Sequence, residues 1–202
     1  MTVIATAGLS KYARMHHSFA AGYRAIVSDS APGSFVWSDG EDFDTWSANP
    51  NEFVARATGG FWFISGIDGS GNTVAGMRLT AGSSGWSAIS DRNAKTDIGP
   101  VNSREVVAKL AEIPLATWRY KSQAEGIRHM GPMAQDFYAA FGLGEDEKYI
   151  STIDADGVAL AAIQGLYQEL KDRDAQIATL GARLTELEQV IKQLATGGAE
   201  KR

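Results

Sequence analysis

Ser90 and Lys95 are the two residues whose types and spacing suggest covalent chemistry in this chain. A serine hydroxyl becomes a useful nucleophile when a neighbouring base takes its proton, and a lysine is that base only where its surroundings hold the amine neutral. The two stand five positions apart in Ser90-Asp91-Arg92-Asn93-Ala94-Lys95. That spacing is about 500° on a helix, and on a strand it puts the side chains on opposite faces. A dyad therefore needs an irregular turn or a lysine from another subunit. Asp91 favours the ammonium form and Arg92 opposes it, so burial has to do most of the work of neutralising the amine.

The pair lies where a glycine-rich, strand-like front gives way to a helical back. In the front, Ser34-Phe35-Val36-Trp37 sits between Pro32-Gly33 and Ser38-Asp39-Gly40, and Phe61-Trp62-Phe63-Ile64 between Gly59-Gly60 and Gly66. Short aromatic and β-branched runs between such residues are strand signals with turns between them. His17-Ser18-Phe19-Ala20-Ala21-Gly22 is echoed by Gly33-Ser34-Phe35-Val36-Trp37-Ser38, the Ser-Phe pairs sixteen positions apart. The run from Ile67 to Val74 reads as a hairpin turned at Asp68-Gly69. Trp37, Trp46, Trp62 and Trp86 read as core or interface packing. A sugar-binding platform is the sharper alternative for them.

Behind the junction, Val106, Val107, Leu110 and Ile113 form a helical stripe stopped by Pro114, and residues 115–120 alternate as a strand. Residues 153–163 open a last helix with acids at its positive end. From Ile163 the spacing runs three, four, three, four through Leu166, Leu170, Arg173, Ile177, Leu180, Leu184, Leu187, Ile191 and Leu194. This is a heptad seam with one polar break at Arg173, and its mixture of Ile and Leu leaves dimer and trimer both open. Arg183 and Glu188 can pair between helices, whereas Glu169 and Asp174 repel.

Composition narrows the remaining classes. A formal charge of -5 gives no general attraction to nucleic acid or anionic membranes. There is no cysteine, and His16, His17 and His129 are a thin basis for a metal centre. Residues 1–11 lack the pattern of a secretory signal, and no run approaches the ~20 apolar residues of a membrane span. No cofactor and no metal is expected. A hydrolase acting on outside substrates is disfavoured because no His-Asp constellation accompanies the serine.

Two resemblances carry the reading further. Residues 20–25 followed by Gly33-Ser34-Phe35-Val36-Trp37-Ser38-Asp39 resemble the left-handed β-roll repeats of trimeric adhesin heads. Ser90, Asp91, Lys95 and Ile98 resemble the start of the intramolecular chaperone domain, the peptidase S74 family, at the C-terminus of phage endosialidases, tail fibres and tailspikes. Asp97 stands for that family's usual asparagine. His129-Met130-Gly131-Pro132-Met133-Ala134-Gln135-Asp136-Phe137 is similar to its Gly-Phe-Ile-Ala-Gln-Glu segment, with Gln135 matching and Asp136 replacing the glutamate.

The expected fold is thus mixed: a β-rich segment at 1–89, β-roll or triple β-helix-like, then an α+β chaperone core at 90–157. A coiled-coil helix follows at 158–196 and a fraying tail at 197–202. The resemblance implies a homotrimer that cuts itself between Ile89 and Ser90, with Ser90 and Lys95 catalytic and Asp91, Gln135 and Asp136 as candidate supporting residues. It implies work in a bacterial host's cytoplasm during assembly and then a place in a virion tail fibre or spike, or else on a bacterial surface. The front part would meet a surface carbohydrate or receptor. The alternative is a trimeric stalk or adhesin tip that does not cut.

Overall fold

The computed structural model describes residues 17–199, with side chains described as far as Leu194. The readings of residues 1–11 and of residues 200–202 lie outside this range. By internal contacts the chain divides between Asp97 and Ile98 into two units.

The first unit begins as a parallel coil. Strands β1 (Phe19–Gly22), β3 (Phe35–Ser38) and β5 (Phe53–Arg56) form a parallel sheet. Its register places Phe19 beside Phe35 and Phe35 beside Phe53. The sixteen-residue echo is therefore the spacing of the first two rungs, and the third follows eighteen residues on. Between them β2 (Ala25–Ile26) and β4 (Thr45–Trp46) pair in parallel on a second side of the coil. Ala20, Ala25, Val27 and Val36 fill the narrow interior, with Val54 packed against them. Outside, the three phenylalanine rings stack at 4.6 Å from one to the next.

A coil this thin has little apolar volume, and buried serines tie its rungs together. Ser18 Oγ accepts from the Gly33 N–H at 3.0 Å, and Ser34 Oγ accepts from the Glu52 N–H at 3.1 Å. Ser38 Oγ donates to the Tyr23 carbonyl at 2.6 Å, and Ser47 Oγ accepts from the Ser28 N–H at 3.0 Å. Each satisfies a backbone group that would otherwise be stranded away from water. Gly22 is required where the rungs come closest: it has φ +93°, and a Cβ there would run into the Ser38 carbonyl.

Carboxylates fix the outer turns. Asp39 accepts from the Thr58 hydroxyl at 2.7 Å, the Thr58 N–H at 2.6 Å and Arg56 Nε at 2.9 Å. These bonds, led by the Thr58 hydroxyl, hold its carboxyl well below the usual carboxylate range. Glu52 is lowered by the Asn49 side chain and the backbone N–H groups beside it, and Asp42 by Arg24 and Tyr23.

After the coil, β6 (Gly60–Ile67) and β7 (Thr73–Thr80) form the expected hairpin, with β8 (Ser87–Ala88) on the far edge of β7. Asp68 organises the turn by accepting from the Ser70 and Asn72 N–H groups, both at 2.8 Å. Phe61, Phe63 and Trp86 cluster on one face, while Arg78 lies over the Trp62 ring on the other. Trp62, Phe63, Ile64 and Trp86 each keep about half their surface in solvent.

In the second unit α1 (Ser103–Glu112) is capped by Asn102, whose side chain accepts from the Glu105 N–H. Strands β9 (Ala116–Trp118) and β10 (His129–Gly131) pair antiparallel, and α2 (Ala134–Phe141) ends at Gly142 in the left-handed region. The long helix α3 (Thr152–Ala199) has 48 residues. It thus begins ahead of the coiled coil expected at 158–196 and continues past the start of the expected fraying tail. Helix α1 packs on its stripe of Val158, Ala162 and Gly165, all buried. No helix among the described residues is long and apolar enough to cross a membrane.

Candidate active site

The last strand of the first unit's hairpin sheet sets up the junction. Met77 of β7 pairs with Ala88, and the Ile89 N–H donates to the Gly76 carbonyl at 3.2 Å. Register is therefore held up to Ile89 and released at Ser90, which is exposed. Asp91 is extended, Arg92–Ala94 is one 3-10 turn, and Lys95 is extended again. Continued as a strand, five residues would span about 16 Å. The turn folds that distance back, and Lys95 Nζ donates to Ser90 Oγ at 2.7 Å.

The regular-element arithmetic thus fails for a specific reason: the pair straddles a turn that belongs to neither helix nor strand. Of the two routes to a dyad, an irregular turn or a partner's lysine, the single chain takes the first. Lys95 is exposed, which differs from the burial that the sequence reading asked for. Asp91 also differs from expectation. Its carboxylate does not pair with the lysine; Oδ1 accepts from the Asn93 N–H at 2.9 Å and from Asn93 Nδ2 at 3.1 Å. Asn93 was not singled out by sequence, though an Asx residue two positions before a free N–H is a known turn signal.

Asp97 closes the segment with φ 54°, in the left-handed region. Asparagine and aspartate are the non-glycine residues that enter it most readily. An aspartate at 97 is therefore compatible with this backbone.

Gln135 and Asp136 belong to the second unit. Gln135 is exposed, and Asp136 is half-buried in the first turn of α2, where the helix dipole favours an acid. His129 makes a 2.9 Å hydrogen bond to Gln123 Oε1 and packs its ring on Trp118, as a structural histidine does. Among the described residues no three His, Asp or Glu side chains gather as a metal site.

The described residues thus comprise a β-coil and hairpin, a turn that holds a serine and a lysine in contact, and a helical unit ending in the long helix α3. Residues 90–142 match the Peptidase_S74 family, described as the chaperone of endosialidase. The matched stretch begins at Ser90 and takes in the turn, α1, β9, β10 and α2. No match to a curated protein or to a solved structure was found.

Proposed function

We propose that the chain is a self-cleaving intramolecular chaperone: its helical part gathers three copies, lets their β-rich fronts fold in register, and is then cut away at Ser90. The observation that carries this reading is the 2.7 Å contact between Lys95 Nζ and Ser90 Oγ, at the point where β-sheet register ends.

In the reaction the neutral Lys95 amine removes the Ser90 hydroxyl proton as Oγ attacks the Ile89 carbonyl carbon. The resulting ammonium returns that proton to the Ser90 nitrogen as the Ile89–Ser90 peptide bond breaks, which leaves an ester between Ile89 and Ser90 Oγ. Water, deprotonated by the same amine, then hydrolyses the ester. One water is consumed, and the products are a carboxylate at Ile89 and a free amine at Ser90. No substrate pocket is needed, because folding delivers the bond, and effective molarities for well-placed groups reach ~10⁵ M or more.

The trimeric part of the proposal rests on α3. Ile163, Leu166, Leu170, Ile177, Leu180 and Leu184 all keep more than half their surface in solvent, on a stripe separate from the one α1 covers. Apolar residues at heptad spacing ask for other helices. Interwound β chains have high contact order and assemble slowly, and a local trimer shortens that search. The setting that fits is the assembly of a fibre or spike protein whose front part meets a surface carbohydrate or receptor.

Expression of the wild type beside Ser90→Ala and Lys95→Ala, run denatured, tests the reading. Fragments 1–89 and 90–202 from the wild type alone support it. An intact wild type under folding conditions overturns self-cleavage and leaves a trimeric stalk that does not cut.

A further inference from the structure

We infer that Asp91 and Asn93 are positioning residues for the dyad, acting through the turn between Ser90 and Lys95 and not through the charge of the carboxylate. The inference rests on the self-cleavage reading and adds to it the device that makes the pair meet.

A serine and a lysine five residues apart touch only if the residues between them reverse the chain by a fixed amount. Here the reversal is one 3-10 turn, closed by the Ala94 N–H donating to the Asp91 carbonyl and the Lys95 N–H donating to the Arg92 carbonyl, both at 3.2 Å. A 3-10 turn has poorer hydrogen-bond geometry than an α-helix, and a single turn fixes several dihedral angles for few bonds, so a side-chain cap adds to its stability. What holds this one is Asp91 Oδ1, which takes both the backbone N–H and the side-chain Nδ2 of Asn93. No ion pair joins Asp91 to Lys95 or Arg92 among the described residues, so the acid's partner is the turn itself. Asn93 in turn uses its amide on Asp91 and offers nothing to Ser90. All these links lie in residues 90–95, so the geometry is set locally.

Removing such a cap typically lowers the capped population about fivefold, equivalent to about 1 kcal/mol. The test is the rate of appearance of fragment 90–202 in the full chain, measured across pH, for wild type, Asp91→Ala, Asp91→Asn and Asn93→Ala. Asp91→Ala is expected to cut about fivefold more slowly with the midpoint of its pH–rate curve unmoved. Asp91→Asn keeps an acceptor oxygen and recovers most of the rate. Asn93→Ala, which leaves the backbone donor in place, loses less than Asp91→Ala. Light scattering and circular dichroism verify that each variant assembles and folds as the wild type does.

Three results overturn the inference: an Asp91→Ala chain that cuts at the wild-type rate, an Asp91→Asn chain as slow as Asp91→Ala, or a displaced pH midpoint. The last two would assign the carboxylate an electrostatic role. A wild type that does not cut fails the self-cleavage reading and this inference with it, whereas a cutting wild type with an unimpaired Asp91→Ala fails this inference alone.

Discussion

Lys95→Arg separates two tasks a cation can perform beside Ser90. A guanidinium can still donate to Ser90 Oγ, so the turn and its hydrogen bond survive the exchange. It cannot be deprotonated in a protein and therefore cannot take the serine proton. The expected outcome is a folded, assembled and uncut chain, with cleavage at least ~100-fold slower than wild type, since a positioned general base contributes that much or more. Time-resolved gels with mass spectrometry of the products measure it, and a Lys95→Arg chain that cuts normally would remove lysine as the base. At this scale the sequence showed which residues to suspect but not how they meet. Ser90 and Lys95 were visible by type and by their likeness to a known junction. Asn93 was not, because periodicity describes helices and strands, and the contact is made by a single irregular turn between two extended residues. Adjacency in sequence makes Asp91 a neighbour of the ammonium, and nothing in the sequence places its side chain more finely. Its side chain instead faces the turn.

At the scale of elements, the first coil shows how much a single echo can carry. The Ser-Phe repeat marks two rungs, and Phe53 is the third, eighteen residues on from Phe35. The sequence does not show it as a repeat, because Glu52 stands where a serine precedes Phe19 and Phe35. The structure accounts for the change: Ser18 and Ser34 each accept a backbone N–H from the following rung, and β5 is the last strand of its sheet. The same coil carries an acid response. Asp39 is held below its ordinary value in the folded state, so its contribution is complete above the unfolded carboxylate value of about 3.9 and is lost as pH falls through the lower, folded one. The melting midpoint followed by Trp37 and Trp46 fluorescence should therefore hold from neutral pH to about 4 and drop below it. Thr58→Ala, which removes the leading hydrogen bond, should lower the midpoint at neutral pH and flatten the acid limb. In the second unit, α1 crosses α3 at Gly165, where a Cβ would meet the Ser103 carbonyl and lie 2.7 Å from Val107 Cγ2. Gly165→Ala gains about 1 kcal/mol of helix propensity but forces backbone apart at a cost of about 1–3 kcal/mol. The net effect should be a lower melting midpoint. Gly157→Ala, in the same helix with open space around it, should raise that midpoint.

At the scale of the molecule, each unit taken by itself exposes apolar surface among the described residues. The sheet of β6 and β7 exposes Phe63 and Trp86 on one face and Trp62 and Ile64 on the other, and α3 exposes its whole heptad seam. A heptad is the longest-range pattern a single sequence can display, which is why the seam is the clearest signal; in the proposed assembly other copies of the chain complete it. This frames the relation between assembly and cutting. The single chain already brings Lys95 to Ser90, yet both side chains stand in water, and a lysine serves as a base only where its surroundings disfavour the charged form. On the proposed reading, what assembly adds is exclusion of solvent. Leu180→Asp combined with Leu187→Asp puts charges in the seam and should yield chains that light scattering finds monomeric and that gels find uncut, with the turn intact. Monomers that cut at the wild-type rate would show that the turn suffices alone. A mixture then tells apart the two ways an oligomer could help. When Ser90→Ala chains are co-folded with Lys95→Ala chains, a complete dyad can arise only between chains, one giving serine and another lysine. Because the contact closes within one six-residue stretch, no fragment 90–202 is expected from the mixture, although wild-type chains diluted into either variant should still cut. Product from the mixture would mean that assembly swaps lysines between subunits, and that the contact in the single chain is replaced as the trimer forms.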